Sequence, residues 1–169
     1  MKYILNENIK INKVKKNEIK VILQFQRYII DSIENKDFFV PLTEKEILFP
    51  IKNKGLVYTL LHNDTIIGFF ILTLNPSKKI MSEYNLDNLE NLGLFDGIMI
   101  KKEYRGSKLQ QQCLEYIEKK ALELGTKQII ATVHPKNIWS LNNFIDENYK
   151  IIAKKTIHGG PRYILQKIL

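Results

Sequence analysis

Cysteine occurs once, at Cys113, which excludes an internal disulfide and a thiolate metal centre. Histidine occurs only at positions 62, 134 and 158, without the spacing of a metal-binding cluster. Long apolar runs are also missing. The longest, Ile66 to Leu74, is interrupted by Gly68 and Thr73 and is far too short to span a bilayer. The first residues, Met1-Lys2-Tyr3-Ile4-Leu5-Asn6-Glu7, turn polar before a signal-peptide core can form, so a cytoplasmic location is expected and no membrane partner. Arginine is scarce: Arg27, Arg105 and Arg162 are the only three among 26 basic residues. The net charge of +8 suits an anionic partner. However, Lys, Ile and Asn abound together, as codon bias produces, and the lysines are scattered without aromatic interleaving, so no nucleic-acid partner is expected.

What is present is an ordinary globular composition, 44% apolar and 26% charged over 169 residues. That length predicts a single domain, 1–169, able to bury a core. Ile9 to Val14 alternates apolar and polar residues and reads as a strand. Asn17 is a candidate cap for a helix reaching about Ile33, and Thr43 with Glu46 fits a capping box for a short helix ending by Pro50. Leu56–Leu61 and Ile66–Leu74, joined at Asn63-Asp64, read as a hairpin. Ser77–Asn91 is polar, with a weak helical pattern through Ile80, Tyr84, Leu86 and Leu89. Leu94–Ile100 reads as a central strand in which Gly97 invites a bulge. A helix follows, with Leu109, Cys113, Ile117, Ala121 and Leu124 on one face and Glu118 off it, stopping at Gly125. Gln128–Val133 is a buried strand, Asn137–Asn148 a helix, and Tyr149–Ala153 and Arg162–Ile168 two closing strands. This order predicts an α/β (α+β) fold, a mixed and mostly antiparallel central sheet of about six to seven strands flanked by helices.

The stretch Leu94 to Gly125 carries the clearest chemistry. A strand, a tight turn at Arg105-Gly106-Ser107 and a helix bring unpaired backbone N–H groups and a positive dipole end to one point. A pyrophosphate placed there satisfies several of those groups at once. A lone glycine turn is a weak motif, and on its own it reads as a simple turn into a helix.

A second block changes that reading. Ile100-Lys101-Lys102-Glu103-Tyr104-Arg105-Gly106 resembles the end of the fourth strand and the phosphate-loop entry of the GNAT acetyltransferase superfamily. Val133-His134-Pro135-Lys136-Asn137, with Ser140, Phe144 and Asn148-Tyr149, resembles that family's fifth strand and fourth helix. The resemblance covers Leu94 to Ile152 and implies the GNAT acyl-CoA N-acyltransferase fold with acetyl-CoA (coenzyme A) as co-substrate and no metal. It implies a coenzyme site made by Ile98, Met99, Ile100, Arg105, Gly106, Ser107, Lys108, Leu109, Gln110, Asn137, Ser140 and Phe144. In that family the fourth and fifth strands splay, and the pantetheine arm pairs with free backbone groups like an added strand. Residues 98 to 100 are the expected partners here, one amide polarising the acetyl carbonyl. Asn137 is expected on the arm, as an N-cap, or both. The usual loop signature is Arg or Gln, two residues, Gly, one residue, then Gly or Ala. This chain has Lys108 and Gln110 at the small positions. Lys108 brings a Cβ near the phosphates and calls for an ordinary φ. It supplies an ammonium to the pyrophosphate, or it weakens the site.

The resemblance implies direct acetyl transfer to a primary amine of a small molecule or peptide. Such a transfer needs a base and is helped by an acid. The family's tyrosine acid is here Phe144, which has no proton to give; Tyr149 and Ser140 are poor substitutes on spacing. Asp96, inside an apolar strand and expected on one face with Ile98 and Ile100, is the candidate base; an exposed strand start or a lysine partner is the plainer explanation. His134 reads as a satisfied strand-end residue, Cys113 as core and Glu103 as a surface turn. His158-Gly159-Gly160 with Arg162 either borders the acceptor site, favouring a carboxylate or phosphate on the acceptor, or is an ordinary hairpin loop. The expected activity is that of an N-acetyltransferase, an acyltransferase transferring groups other than aminoacyl groups, acting as monomer or homodimer. A coenzyme-binding module with impaired catalysis is the alternative.

Overall fold

A computed structural model of the chain describes residues 3–6, 8–86 and 90–169. Eight strands form one sheet in the order β1-β2-β3-β4-β5-β6-β8-β7. They are β1 (Tyr3–Asn6), β2 (Ile9–Lys13), β3 (Leu56–His62), β4 (Thr65–Leu74), β5 (Leu92–Ile100), β6 (Gln128–Val133), β7 (Lys150–Ile157) and β8 (Gly160–Ile168). Every neighbouring pair is antiparallel except β5 and β6, which run parallel. The short β1 is the strand beyond those expected; it adds to the edge formed by β2.

Five α-helices cover the sheet: α1 (Ile19–Ser32), α2 (Glu44–Lys52), α3 (Lys78–Glu83), α4 (Leu109–Glu123) and α5 (Ile138–Asp146). On one face Ile22, Phe25 and Ile29 of α1 and Ile47 of α2 pack on Phe69, Ile71 and Met99. On the other, Leu109, Cys113, Leu114, Ile117 and Ala121 of α4 and Phe144 of α5 pack on Phe70, Leu72 and Phe95. A third cluster seats Met81 and Tyr84 against Leu94, Ile130 and Ile164. Both faces of the central strands are therefore apolar, which is why β4 and β5 read as near-continuous hydrophobic runs.

Local chemistry explains most boundaries. The Thr43 hydroxyl accepts from the Glu46 N–H and Glu46 Oε2 accepts from the Thr43 N–H, so the expected capping box starts α2. The helix nevertheless continues through Pro50 to Lys52, since Pro50 forfeits one backbone bond near the helix end and is itself buried. Asn17 does not cap α1. It lies within a single 3-10 turn, Lys16–Glu18, from which α1 continues. Asn63 and Asp64 close the β3–β4 hairpin with positive φ at both residues (49° and 60°), and His158 and Gly159 do the same for β7–β8 (54° and 76°). Both are compact two-residue turns whose twist matches their strands.

The buried arc of α4 is wider than its sequence stripe. Leu114 and Glu118 are buried, whereas Leu124 lies past the helix end and is exposed. Glu118 is tolerated inside because its carboxylate accepts from the Lys167 ammonium at 2.5 Å. Of the apolar residues assigned to the Ser77–Asn91 stretch, Leu89 lies outside the described residues. Among the described residues no helix is long and apolar enough to cross a membrane.

Candidate functional site

The site grows from an irregularity in β5. The β4–β5 register passes from Ile71↔Gly97 to Leu72↔Phe95, leaving Asp96 as an extra residue. This is the bulge that Gly97 invited. It breaks the alternation on which the expected placement of Asp96 rested. Asp96 does not share a face with Ile98 and Ile100, which pack toward α4. Its carboxylate turns to the opposite side and accepts a hydrogen bond from the Thr73 hydroxyl of β4.

A second irregularity lies alongside. β5 and β6 pair only from Leu92↔Gln128 to Phe95↔Ala131. Beyond that point the last residues of β6, Thr132 and Val133, stay with β8, pairing Ile164 and Tyr163. The two parallel strands part, and a cavity of about 500 Å³ opens at the split. From the α5 side it is lined by Phe95, Ile98, Asn137, Ser140 and Phe144. From the α1–α3 side it is lined by Thr73, Asp96, Met99, Glu46, Tyr84 and Arg162. Asp96 lines the cavity from the bulge beside the split.

Burial pushes the Asp96 carboxyl up to about 7; the Thr73 hydroxyl opposes the shift and the negative charge of Glu46 adds to it. A carboxylate held near neutrality in a cavity fits a proton acceptor. Tyr84, buried just after α3 as its C-cap, has its hydroxyl 2.7 Å from Nε2 of His158. Burial, then the charges of Asp96 and Glu83, raise the Tyr84 hydroxyl above its ordinary value, so it stays protonated. Sequence reading missed Thr73, Tyr84 and Glu46. Only Thr73, a polar residue inside an apolar run, left a trace in the pattern.

The backbone along the gap differs from residue to residue. The Lys101 N–H donates to the Ile67 carbonyl, and Met99 lies opposite Phe69. An antiparallel ladder alternates inward and outward pairs. Met99 thus spends its backbone groups on β4, and its expected role toward a coenzyme arm is withdrawn. Ile98 and Ile100 turn theirs toward the gap, but the Ile100 carbonyl already accepts from Arg105 Nε at 2.9 Å.

The loop into α4 lies outside the cavity lining. After a 3-10 turn at Lys102–Tyr104, Gly106 takes φ +80° and Lys108 φ +59°. Lys108 does not keep the ordinary φ its side chain favours. It holds the left-handed conformation that glycine supplies elsewhere, because it caps α4 and the chain must reverse there. The Ser107 hydroxyl donates to the Tyr104 carbonyl, Leu109 is buried and offers only its backbone, and an alanine Cβ at Gly106 would meet open space. Gln110, at a position read as small, spans the helices: its amide donates to Ser140 Oγ at 3.3 Å and its carbonyl oxygen accepts from Asn143 Nδ2 at 3.0 Å. Asn137 caps α5, its side chain accepting from the Ser140 N–H, and lines the cavity as well.

Other candidates separate cleanly. His134 is buried at the end of β6, its Nδ1 accepting from the Lys136 N–H, and lies away from the cavity lining. Cys113 is fully buried and burial raises its thiol, leaving it core. Tyr149 is buried beneath Phe144 with ring centroids 5.0 Å apart. Among the described residues no group of three or more His, Cys, Asp or Glu side chains is placed to hold a metal ion.

Comparison with known proteins follows the same lines. The sequence profile of the Acetyltransferase (GNAT) family matches residues 26–144. No curated protein matches the chain. Among solved structures, an acetyltransferase of the GNAT family from Streptococcus pneumoniae superposes with a TM-score of 0.72 at 17% identity, covering 95% of this chain and 99% of that one. A ribosomal-protein-S5-alanine acetyltransferase from Vibrio fischeri gives 0.71 at 14% identity, covering 99% and 96%. The putative acetyltransferase yncA from Salmonella typhimurium, determined with its cofactor acetyl-CoA, gives 0.71 at 12% identity, covering 96% and 94%. With a profile match over most of its length, the chain belongs to the GNAT acetyltransferase family.

Proposed function

We propose that this protein is an N-acetyltransferase that moves an acetyl group from acetyl-CoA directly to a primary amine, with Asp96 as the base. The observation that carries the reading is the Asp96 carboxylate, turned by the bulge into the cavity at the strand split and held near neutrality.

The residues present fit the coenzyme. The left-handed Gly106 and Lys108 bend the chain into the start of α4, whose first N–H groups have no acceptor within the helix. Those groups and the Lys108 ammonium would hold the pyrophosphate. Ile98 turns backbone groups toward the gap, and Asn137, Ser140 and Phe144 flank it. When bound, the coenzyme supplies an acetyl thioester whose carbonyl carbon bonds to the amine nitrogen as the thiolate departs. Asp96 removes the proton from the incoming ammonium group, directly or through one water. Thr73 holds the carboxylate in place by donating to one oxygen, which leaves the other for the amine. The Ile98 N–H is the donor aimed at the gap, suited to charge developing on the acetyl oxygen. Phe144 donates nothing, so the thiolate is protonated by solvent; a thiol near 8.5 makes this acceptable at neutral pH.

Calorimetry with acetyl-CoA and CoA, followed by thiol release against pooled amines, tests the reading. The expected results are saturable binding, turnover with at least one amine, a kcat/KM that rises with an apparent pKa near the Asp96 value of about 7, and a loss of roughly 10²–10⁴ in rate in Asp96→Asn. No affinity for either coenzyme form would sink it. A coenzyme-binding module without turnover is the second reading, favoured by Phe144 and by Gln110 filling the space between α4 and α5. One acetylated amine excludes it.

A further inference from the structure

Arg162 is the charge that the reaction so far leaves unused. It stands on β8, 3% exposed, and lines the cavity. Its Nη2 donates to the Asp37 backbone carbonyl at 2.7 Å, and its Nη1 has no hydrogen-bond partner. Among the described residues the ion pairs are Lys120–Glu123 and Lys167–Glu118, so no carboxylate is in contact with it; the Asp37 carboxylate acts on it only through space. A buried guanidinium with no carboxylate in contact is costly.

A purely structural clamp does not require that charge. Residues 37 to 42 form the wall over the cavity, fastened at both ends. At the other end Gln26 does the fastening with a neutral amide: its Nε2 donates to the Leu42 carbonyl and its Oε1 accepts from the Leu42 N–H. One end uses a satisfied amide, the other a cation with an unused donor. The difference is what an anionic ligand group would exploit, since guanidinium binds carboxylate through two parallel bonds. Tyr84 and His158 line the cavity beside it. Their mutual hydrogen bond uses one donor, and either tautomer leaves another, Tyr84 O–H or His158 Nδ1–H.

Spacing fixes the kind of molecule. Phe95 lies level with Ala131 and Leu165 across β5, β6 and β8. Asp96 is one residue beyond that line and Arg162 three, in the same direction and two strands across. At ordinary strand spacings their Cα atoms would be about 12 Å apart, and the parting of β5 from β6 adds to that. Both residues line the cavity, and the gap between them suits an amine and a carboxylate separated by a few bonds. The wall between them is apolar, with Phe38, Phe39, Val40 and Phe49 on the cavity.

Resting on the transferase reading above, we infer that the acceptor is an aminocarboxylic acid with an apolar side chain, of the α-amino acid type. Its amine meets Asp96, its carboxylate meets Arg162, and its side chain meets the wall of residues 38 to 40 and Phe49. Arg162 acts here as a specificity determinant and takes no proton.

The test compares L-leucine and L-phenylalanine with their carboxamides and with a short peptide amide beginning with the same residue. Two readouts are taken on the full chain: melting-temperature shift in the presence of CoA, and thiol release from acetyl-CoA. The free acids are expected to raise the melting temperature and to exceed the amides in kcat/KM by roughly tenfold to a hundredfold, the worth of one charged hydrogen-bonded contact. The more weakly basic amines of the amides work against this result, which makes it a strict test. Arg162→Gln, which keeps an N–H for the Asp37 carbonyl as Gln26 does for Leu42, should bring the ratio close to one. Equal use of acids and amides by the wild type, better use of the peptide amide, or a ratio unchanged in Arg162→Gln overturns the inference. The wild-type comparison decides the matter even where the variant does not fold. Melting shifts specific to the free acids without acetylation of any amine uphold the carboxylate site and refute the transferase reading instead; neither shift nor turnover with the acids refutes the site.

Discussion

Asp96→Asn should make the protein more stable at alkaline pH while slowing transfer by roughly 10²–10⁴. Folding raises the Asp96 carboxyl from 3.8 to about 7, chiefly through burial. The fold therefore disfavours the ionised form. Below the unfolded value the group is protonated in both states and costs nothing. As pH climbs between 3.8 and 7 the unfolded chain ionises first and the native state loses ground. Above the folded value the cost is constant, and the displacement converts to about 4 kcal/mol. Asp96 keeps some exposure to the cavity, so screening brings the figure down to roughly 2–4 kcal/mol. Asparagine carries no charge and retains an oxygen for the Thr73 hydroxyl, so it removes the cost while preserving the contact. Urea unfolding at pH 8 should show the variant more stable by that amount, and a melting scan should show a rise of roughly 5–15 °C for a chain of this size. At pH 4 the difference should shrink to below about 1 kcal/mol. A variant no more stable than the parent at pH 8, or equally stabilised at pH 4, refutes the argument that Asp96 is a strained, proton-accepting carboxylate.

Further outcomes follow from the same geometry. Lys108 occupies φ +59° without being glycine, so Lys108→Gly should raise the unfolding free energy by about 1 kcal/mol, the left-handed cost less the added freedom of the unfolded chain. Lys108→Ala should leave it nearly unchanged, and a destabilised glycine variant in urea titration would count against strain at this cap. Phe144 faces the cavity where the family commonly places a tyrosine, so Phe144→Tyr should raise kcat about tenfold or more if the added hydroxyl protonates the departing thiolate; steady-state kinetics across pH would register it. Cys113 is buried with its thiol raised, so a chromogenic thiol reagent should detect no protein thiol in the native state and one after unfolding. That silence leaves released CoA as the signal in turnover assays.

Sequence and structure divide the molecule in an instructive way. The hairpins, the capping box of α2 and the alternation of β2 were legible because each is set by neighbours within a few residues. The turn at Gly106 was legible for the same reason, since a positive-φ reversal and a helix start are local events. Its left-handed Lys108 was not, because residue preference argued for an ordinary φ and the demands of the reversal prevailed. Asp96 shows the same limit more sharply. Reading period two along β5 placed it with Ile98 and Ile100, and one extra residue in the β4 pairing moved it to the other face. Bulges depend on the partner strand, which the sequence of β5 does not contain.

By itself, the sequence determined the order of strands and helices from β2 onward, the glycine turn before α4 and the family, because these rest on local periodicity and short motifs. Only the tertiary structure decided that β5 and β6 part after Phe95 and Ala131, that Asp96 meets Thr73 at that split, and that Arg162 lies buried over the same cavity with one donor unpaired. Those arrangements join residues as far apart as Asp37 and Arg162. No local pattern carries such a pairing; it exists only once the apolar faces of the helices have closed on the sheet.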